Sequence, residues 1–326
     1  MKKRIAKFLL KTLPLSFVIF LPMMSSAQTY PDKNIKILQG FAPGGNADAI
    51  ARAVGSEISK GLGQPVVVEA QAGAGGTIAA GTVSKAKPDG YTLLLATGGH
   101  AVAGALYNNL SYKTVQDFEM ISTITYFPFL MVVSSEGKIA NLPALMAQAK
   151  TNPGKVAYGT AGIGSTHHLA GELFASMAQL DLLHIPYRGD AGSITALLAG
   201  DVPFIIAPPT AVLSNIKAGK LKAIAVTGPQ RWAGMPDVPT VAEQGVAGYD
   251  VRSWAGLMAP AGTPRPIIDR LNVEVQKSLQ LPNIKSRLEE MGGDARSSTP
   301  EEMKAMVSSE TQKWAQVINN AKIPKQ

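Results

Sequence analysis

From Ile35 onward the chain alternates short β-branched or leucine-rich runs with longer stretches whose apolar residues recur at helical spacing. Ile35-Lys36-Ile37-Leu38 predicts a strand, and Ile50, Ala53, Val54 and Ile58 then fall on one face of a helix reaching about Leu62. Asn46 is placed to cap that helix, Asp48 lies in its first turn, and Gly61 and Gly63 mark its end. Val66-Val67-Val68-Glu69 predicts a second strand. A glycine-rich loop at 73–76 leads into a second helix, which stops before the turn signal Lys87-Pro88-Asp89-Gly90. Tyr91-Thr92-Leu93-Leu94-Leu95 reads as a third strand and 100–109 as a helix. Residues 118–133 read as a long extended segment broken by Pro128.

A second series follows. Strands are predicted near 156–158, 182–185, 202–206 and 221–226, with helices at 142–150, 166–177, 193–198 and 210–216. The Pro- and Gly-rich stretch 231–248 reads as a folded loop with a short helix at 240–244, and 249–258 is extended again. Helices at 264–279, 283–291 and 300–318 close the chain, with Pro264 and Pro300 in first turns and Thr299 as a cap. No repeat of solenoid period is present. The fold class expected is α/β, a two-lobed arrangement in which each lobe is a mostly parallel sheet flanked by helices. The chain crosses between lobes twice, near 126–130 and 251–255. Residues 28–128 with 251–326 would form lobe I and 129–250 lobe II. The alternative is a single doubly wound domain with insertions. Between two lobes a ligand would sit in the cleft where loops after strand carboxyl ends face each other.

Charge changes this picture at the N-terminus. The chain of 326 residues has 31 Lys+Arg against 23 Asp+Glu, a formal +8, which taken alone suggests a nucleic-acid or membrane-surface binder. Lys2, Lys3, Arg4, Lys7 and Lys11, however, precede an apolar run at 13–24 ending in Ser25-Ser26-Ala27, and no acid occurs before Asp32. That is the pattern of a secretory signal peptide over 1–27, and the run is short and interrupted by Pro14 and Pro22 for a membrane span. An uncleaved anchor is the alternative. Cleavage after Ala27 removes five basic residues and no acid, leaving about +3. The mature chain is therefore expected in the periplasm, with no nucleic-acid partner, as a monomer. Cysteine is absent, which excludes disulfides, thiolate catalysis and Cys-ligated metal sites.

Catalytic signatures are missing. There is no G-x-S-x-G elbow and no P-loop, and in Gly73-Ala74-Gly75-Gly76-Thr77-Ile78 an isoleucine takes the third glycine's place of a dinucleotide loop. His167 and His168 are adjacent and cannot share one helical face, so with only His100 and His184 besides, neither a metal nor a cofactor is expected. A secreted hydrolase or isomerase using cleft carboxylates remains the reading from a different class. What is present is a set of small-residue loops just before helices: Phe41-Ala42-Pro43-Gly44-Gly45-Asn46, Gly73 to Thr77, Thr97-Gly98-Gly99-His100, and Gly159 to Thr166. Each alone reads equally well as a tight βα turn. Together they suggest a cleft where unpaired N–H groups at helix starts, with the Ser165 and Thr166 hydroxyls, hold an anion.

Several stretches carry a family resemblance: Tyr30 to Tyr91, the run G-T-A-G-I-G-S-T-H-H-L-A-G-E-L-F from Gly159, His184-Ile185-Pro186-Tyr187-Arg188-Gly189, and Ile216 to Leu221. Pro236-Asp237-Val238-Pro239-Thr240-Val241-Ala242-Glu243 and Leu257 to Pro264 carry it too. They resemble the Bug-type receptors, the periplasmic substrate-binding proteins of tripartite tricarboxylate transporters, over the whole mature chain. The resemblance implies a two-lobed binding protein that closes by hinge motion on a small organic anion and hands it to the transporter's membrane subunits. The family's ligands include di- and tricarboxylates, acidic amino acids and aromatic carboxylates; for this chain a mono- or dicarboxylate, aromatic ones included, is expected. Output to a membrane sensor kinase instead is an alternative.

By that resemblance the ligand contacts are the first-lobe loop Phe41, Ala42, Pro43, Gly44, Gly45, Asn46, Ala47 and Asp48, and the turn Thr97, Gly98, Gly99 and His100. The second lobe would add Thr160, Ser165, Thr166, His167 and Ala207. The sequence also departs from the family pattern. Asn46-Ala47 replaces a small residue and a hydroxyl, Gln71-Ala72 removes a cation, and Gly98-Gly99 replaces Ser or Thr, which suggests a roomier cleft. Where amino-acid binders often carry an acid after the strand at 202–206, this chain has Ala207-Pro208-Pro209, which implies a ligand without an ammonium group. His168, Trp232 and Trp254 are expected to pack and Asp48 to face a helix dipole. Arg188 is expected either to meet a second carboxylate or to form a salt bridge.

Overall fold

In the computed structural model, which describes residues 30–326, the β-branched runs become strands and the periodic runs helices in the expected order; the expected signal peptide, 1–27, lies outside the described residues. The first series is β1 (Ile35–Gln39), α1 (Asn46–Leu62), β2 (Val66–Ala70), α2 (Thr77–Val83), β3 (Thr92–Thr97) and α3 (Gly98–Leu106). The extended segment splits at Pro128 into β4 (Phe118–Pro128) and β5 (Leu130–Ser134). The second series is α4 (Leu142–Thr151), β6 (Val156–Thr160), α5 (Thr166–Met177), β7 (Leu182–Pro186), α6 (Asp190–Ala199), β8 (Phe204–Ala207), α7 (Pro209–Lys217) and β9 (Leu221–Val226). The chain ends in β10 (Arg252–Pro260), α8 (Arg265–Gln280), α9 (Pro282–Glu290), β11 (Asp294–Ala295) and α10 (Pro300–Asn320).

Two sheets result, ordered β11-β4-β10-β3-β1-β2 and β7-β6-β8-β5-β9. As expected, most strands share one direction, β1 to β4 in the first sheet and β6 to β9 in the second, while β10, β11 and β5 run against them. The βα units pair in parallel, β1 with β2 and β3, and β6 with β7 and β8. The strands that join the series enter antiparallel: β10 lies between β3 and β4, and β5 between β8 and β9. β5 and β10 are the strands by which the chain arrives from the other sheet, with no helix between them and the strands they follow, β4 and β9.

Burial follows the pattern. In β5, Leu130, Met131, Val132 and Val133 are all buried, as expected of a strand covered on both faces. The two passages between sheets run side by side and are tied by one side chain. Thr227 Oγ1 accepts the Phe129 N–H at 2.8 Å and donates to the Val251 carbonyl at 2.7 Å.

Local differences have local causes. Gly45, not Asn46, is the N-cap of α1, and Asn46 is its first helical residue. Helix α6 begins at Asp190 rather than 193: its N-cap Gly189 takes φ 87°, open to glycine, and donates its N–H to the Ala161 carbonyl of the loop after β6 at 3.2 Å. The segment at 240–244 is a turn rather than a helix. Thr240 bridges Val226, while the Glu243 carboxylate accepts the Thr240 N–H at 2.6 Å and Thr240 Oγ1 accepts the Glu243 N–H at 3.0 Å. Pro264 is the N-cap of α8, and Thr299 caps α10 in a reciprocal capping box with Glu302.

Candidate functional site

Helices α1 and α3 start at the edge of the first sheet, and α5, α6 and α7 at the edge of the second, and all bring their N-terminal ends to one small cavity. Asn46 and Ala47 come from the start of α1, Thr97 is the N-cap of α3, and Thr166 and His167 open α5. Asp190 opens α6 and Pro208 is the N-cap of α7. The remaining wall is aromatic: Phe41 from the first loop, and Phe127 and Phe129 from the passage between β4 and β5. Ser253 of β10 completes it, and no Lys or Arg lines the cavity.

Each helix start is held by its own loop. The Asp48 carboxylate accepts the Gly44 N–H at 3.1 Å and the Arg52 Nε–H at 2.9 Å, folding the Phe41–Gly45 turn back on α1. Burial pushes the Asp48 carboxyl up, but the hydrogen bonds from Arg52 and Gly44 outweigh it and hold the group below its usual range. Asp48 is thus a loop clamp as well as a dipole partner. Ser165 caps α5: its Oγ accepts the His168 N–H at 3.3 Å and donates to the Gly162 carbonyl at 2.7 Å. Thr160 Oγ1 lies 2.6 Å from His184 Nε2 and accepts the Gly162 N–H at 3.2 Å. His168 stacks on His184 with ring centroids 4.2 Å apart, a packing role.

Thus Phe41, Asn46, Ala47, Thr97, Thr166 and His167 line the cavity, and Asp48, Gly44, Thr160 and Ser165 shape the loops around it. Gly45 precedes Asn46 at the helix start and Pro43 is exposed on the loop's outer side. Ala42 lines an adjoining cleft of about 890 Å³ together with Arg188. Gly99 and His100 lie behind Thr97, outside the main cavity. His100 is committed to packing: its Nε2 is 2.8 Å from the Thr114 carbonyl oxygen and its ring stacks on Tyr112. Ala207 is buried in β8, one residue short of the lining Pro208. The Gly73–Gly76 loop opens onto the adjoining spaces.

Gly98 donates its N–H to Ser253 Oγ at 3.3 Å. A Cβ there would stand 2.7 Å from Thr166 Oγ1 and 2.8 Å from Ser253 Oγ. The space left by the missing side chain is thus taken up by those two hydroxyls, and the cleft gains no room from it. The two sheets also meet directly. Thr210 Oγ1 donates to Asn46 Oδ1 at 2.8 Å, and Thr166 Oγ1 lies 3.4 Å from Ser253 Oγ.

Phe127, Phe129, Asp190, Pro208 and Ser253 line the cavity without having been singled out in the sequence. The signal for Asp190 was available in Tyr187-Arg188-Gly189-Asp190, where a glycine turn precedes an acid. A helix read as starting at 193 hid it. His167 Nε2 and Asp190 Oδ1 are 3.5 Å apart, too poorly aligned for a hydrogen bond, and both His167 ring nitrogens and Asp190 Oδ1 are buried without a partner. Burial pushes the Asp190 carboxyl up to about 7 and the His167 imidazole down to about 3, so the charged form of each is disfavoured here.

Comparison with known proteins agrees with this geometry. The family described as "Tripartite tricarboxylate transporter family receptor" matches residues 50–323. The periplasmic binding protein BugD superposes with a TM-score of 0.87 at 34% identity, over 91% of this chain and 100% of that one. Rpa4515 of R. palustris, solved with adipate, gives 0.87 at 32% identity, over 90% of this chain and 99% of that one. MatC (Rpa3494) from Rhodopseudomonas palustris, solved with bound malate, gives 0.84 at 31% identity, over 89% of this chain and 100% of that one.

Proposed function

The chain belongs to the tripartite tricarboxylate transporter receptor family, and from that premise we propose that it captures one small organic carboxylate in the periplasm and delivers it to a transporter's membrane subunits. The observation that carries this reading is the convergence of helix starts from both sheets on one cavity without a lining cation. The first N–H groups of a helix have no partner within it and carry the positive end of its dipole. One such end contributes about 0.3–1 kcal/mol to an anion, and up to about 2 kcal/mol where partly buried. The Thr97, Thr166 and Ser253 hydroxyls add donors for the same group, and the Phe41, Phe127 and Phe129 rings suit its carbon body. The bound adipate and malate of the structural relatives support a carboxylate.

In this reading residues 28–128 with 251–326 form lobe I and 129–250 lobe II, with the Thr227 knot at the hinge. A ligand touching both lobes stabilises the closed form by its extra contacts there. Residues 1–27 act as the export signal, the receptor works as a monomer, and it releases its ligand unchanged. A thermal-shift screen of mono-, di- and tricarboxylates on residues 28–326 tests this. The expected result is a raised Tm for at least one compound, one site per chain by calorimetry, and the ligand recovered intact. Turnover of the stabilising compound, or no carboxylate that stabilises, overturns it.

A further inference from the structure

The passages between the two sheets have two faces, and only one of them meets the cavity. Along these extended segments side chains alternate: Phe127, Phe129 and Ser253 line the cavity, while Pro128 and Arg252 line a separate groove of about 900 Å³. The strand register agrees, with Ser253 opposite Phe127 and Arg252 opposite Pro128. The groove thus lies behind the passages, on the side away from the cavity. One wall belongs to the second sheet's side, with Lys217 at the end of α7 and Arg231 in the loop after β9. The other belongs to the first sheet's side, with Glu289 and Glu290 at the end of α9 and Asp294 in β11. Cations on one wall face acids on the other, and all five side chains belong to exposed residues. Arg231 pairs with Glu243 on its own wall and Arg252 with its near neighbour Asp250. Among the described residues Lys217, Glu289, Glu290 and Asp294 form no ion pair.

The acids stand where a helix favours them least, because the carboxyl end of α9 is the negative end of its dipole. The two sides also touch between cavity and groove: a Cβ on Gly292, which lines the groove, would stand 2.4 Å from Cγ of Pro209, the residue after the cavity-lining Pro208. On the hinge reading above, rotation about that contact and the passages opens the cavity and narrows the groove, since the two lie on opposite sides of the axis. Helix α7 is the lever. It starts at Pro209, beside the fulcrum, and carries Lys217 about 12 Å along its axis. We infer that Lys217 pairs with the Glu289, Glu290 and Asp294 wall in the open receptor, so that charges outside the cavity set ligand affinity by stabilising the ligand-free form. The same helix then holds a closed-state contact at its start, Thr210 to Asn46, and the open-state cation at its end. Affinity is lowered by the factor with which these pairs favour the open form. Exposed pairs are weak and screened by salt, so the factor is about two- to fivefold at low salt.

This inference rests on the hinge of the receptor reading, and scattering without ligand keeps the two separable. Three variants of the mature chain are compared with the unaltered one: Lys217→Glu, the pair Glu289→Lys with Glu290→Lys, and the combination of all of them. Small-angle X-ray scattering is measured without ligand, calorimetry uses malate and adipate as probes, and Tm checks folding. Each one-sided change sets like charges across the groove. It should reduce the ligand-free radius of gyration and tighten binding about two- to fivefold at low salt. The combined variant, with the charges exchanged, should return both quantities to the unaltered values, and about 0.5 M salt should remove the differences. Unchanged scattering in the one-sided variants, weaker binding, or effects that add instead of cancelling overturns the pairing while leaving the receptor reading intact. Where neither probe binds, the receptor reading fails for those two acids, and the ligand-free scattering alone decides the pairing.

Discussion

Asn46 shows how one side chain links local structure to closure. From sequence it reads as a helix cap; in the structure the cap is Gly45, and the Asn46 amide oxygen instead accepts from Thr210 Oγ1 of the second lobe at 2.8 Å. A part-buried neutral hydrogen bond contributes about 0.5–1.5 kcal/mol, and this one exists only with the lobes together. Thr210→Val should therefore weaken ligand binding about two- to tenfold, mainly through faster dissociation, while Tm without ligand falls little. Stopped-flow dissociation measured beside calorimetry checks it, and an unchanged off-rate removes the latch. Gly75 makes a second contact of the same kind. At φ 62°, a Cβ on it would stand 2.7 Å from the Ile163 carbonyl oxygen, which belongs to the facing loop. Gly75→Val should hold the lobes apart and reduce affinity for any ligand by at least about tenfold, because overpacking against backbone cannot relax cheaply. An unchanged affinity would mean that this loop is free to move.

At the scale of elements, the helices outside the cavity are secured by local rules. Thr299 and Glu302 form both halves of a capping box at the start of α10, so Thr299→Ala should cost about 0.5–2 kcal/mol in chemical denaturation without altering ligand affinity. Such elements were legible in the sequence because their signals are local: a cap residue, an apolar stripe, a proline in the first turn. The sheet order was less so. Whether β10 runs parallel or antiparallel to β3 depends on the path of the chain between them, which no residue pattern encodes. Within the site, the glycine loops before α1, α3 and α5 were recognisable from composition alone. Phe127 and Phe129 were not, because a phenylalanine in an extended run reads as core until the strand is seen to pass beside the cavity. Asp190 was missed through a boundary error of three residues, which took the acid off its helix start.

For the whole molecule, the charge that looked like basicity belongs mostly to the expected leader, and the titratable groups that matter are inside. Three of the four histidines are buried and His184 is half-buried: burial lowers His100 and His168 to about 4, and His167 and His184 to about 3. Each is neutral in the folded state and charges more readily when unfolded. Its stabilising contribution is therefore complete above the unfolded value of 6.5 and is lost as the pH falls through the folded values. The slope is up to about 1.4 kcal/mol per histidine for each pH unit. Asp190 has the opposite sign: raised to about 7, it stabilises fully below 3.8 and loses that contribution as the pH rises toward 7. Glu172, raised by burial, shares that sign, so four histidines against two carboxyls predict a Tm that falls from about pH 6.5 toward pH 4. A flat profile across that range, measured by calorimetry, would mean the histidines are hydrated in solution.

The central claim is that a carboxylate is held in the interlobe cavity at the helix starts. Thr166 tests it most directly, because its hydroxyl lines the cavity at the start of α5 while the cap itself is made by Ser165. A calorimetric titration of Thr166→Val against the unaltered mature chain, with the strongest carboxylate from the screen, should show affinity reduced about tenfold at unchanged stoichiometry and fold. Identical affinity in the two chains would contradict the account.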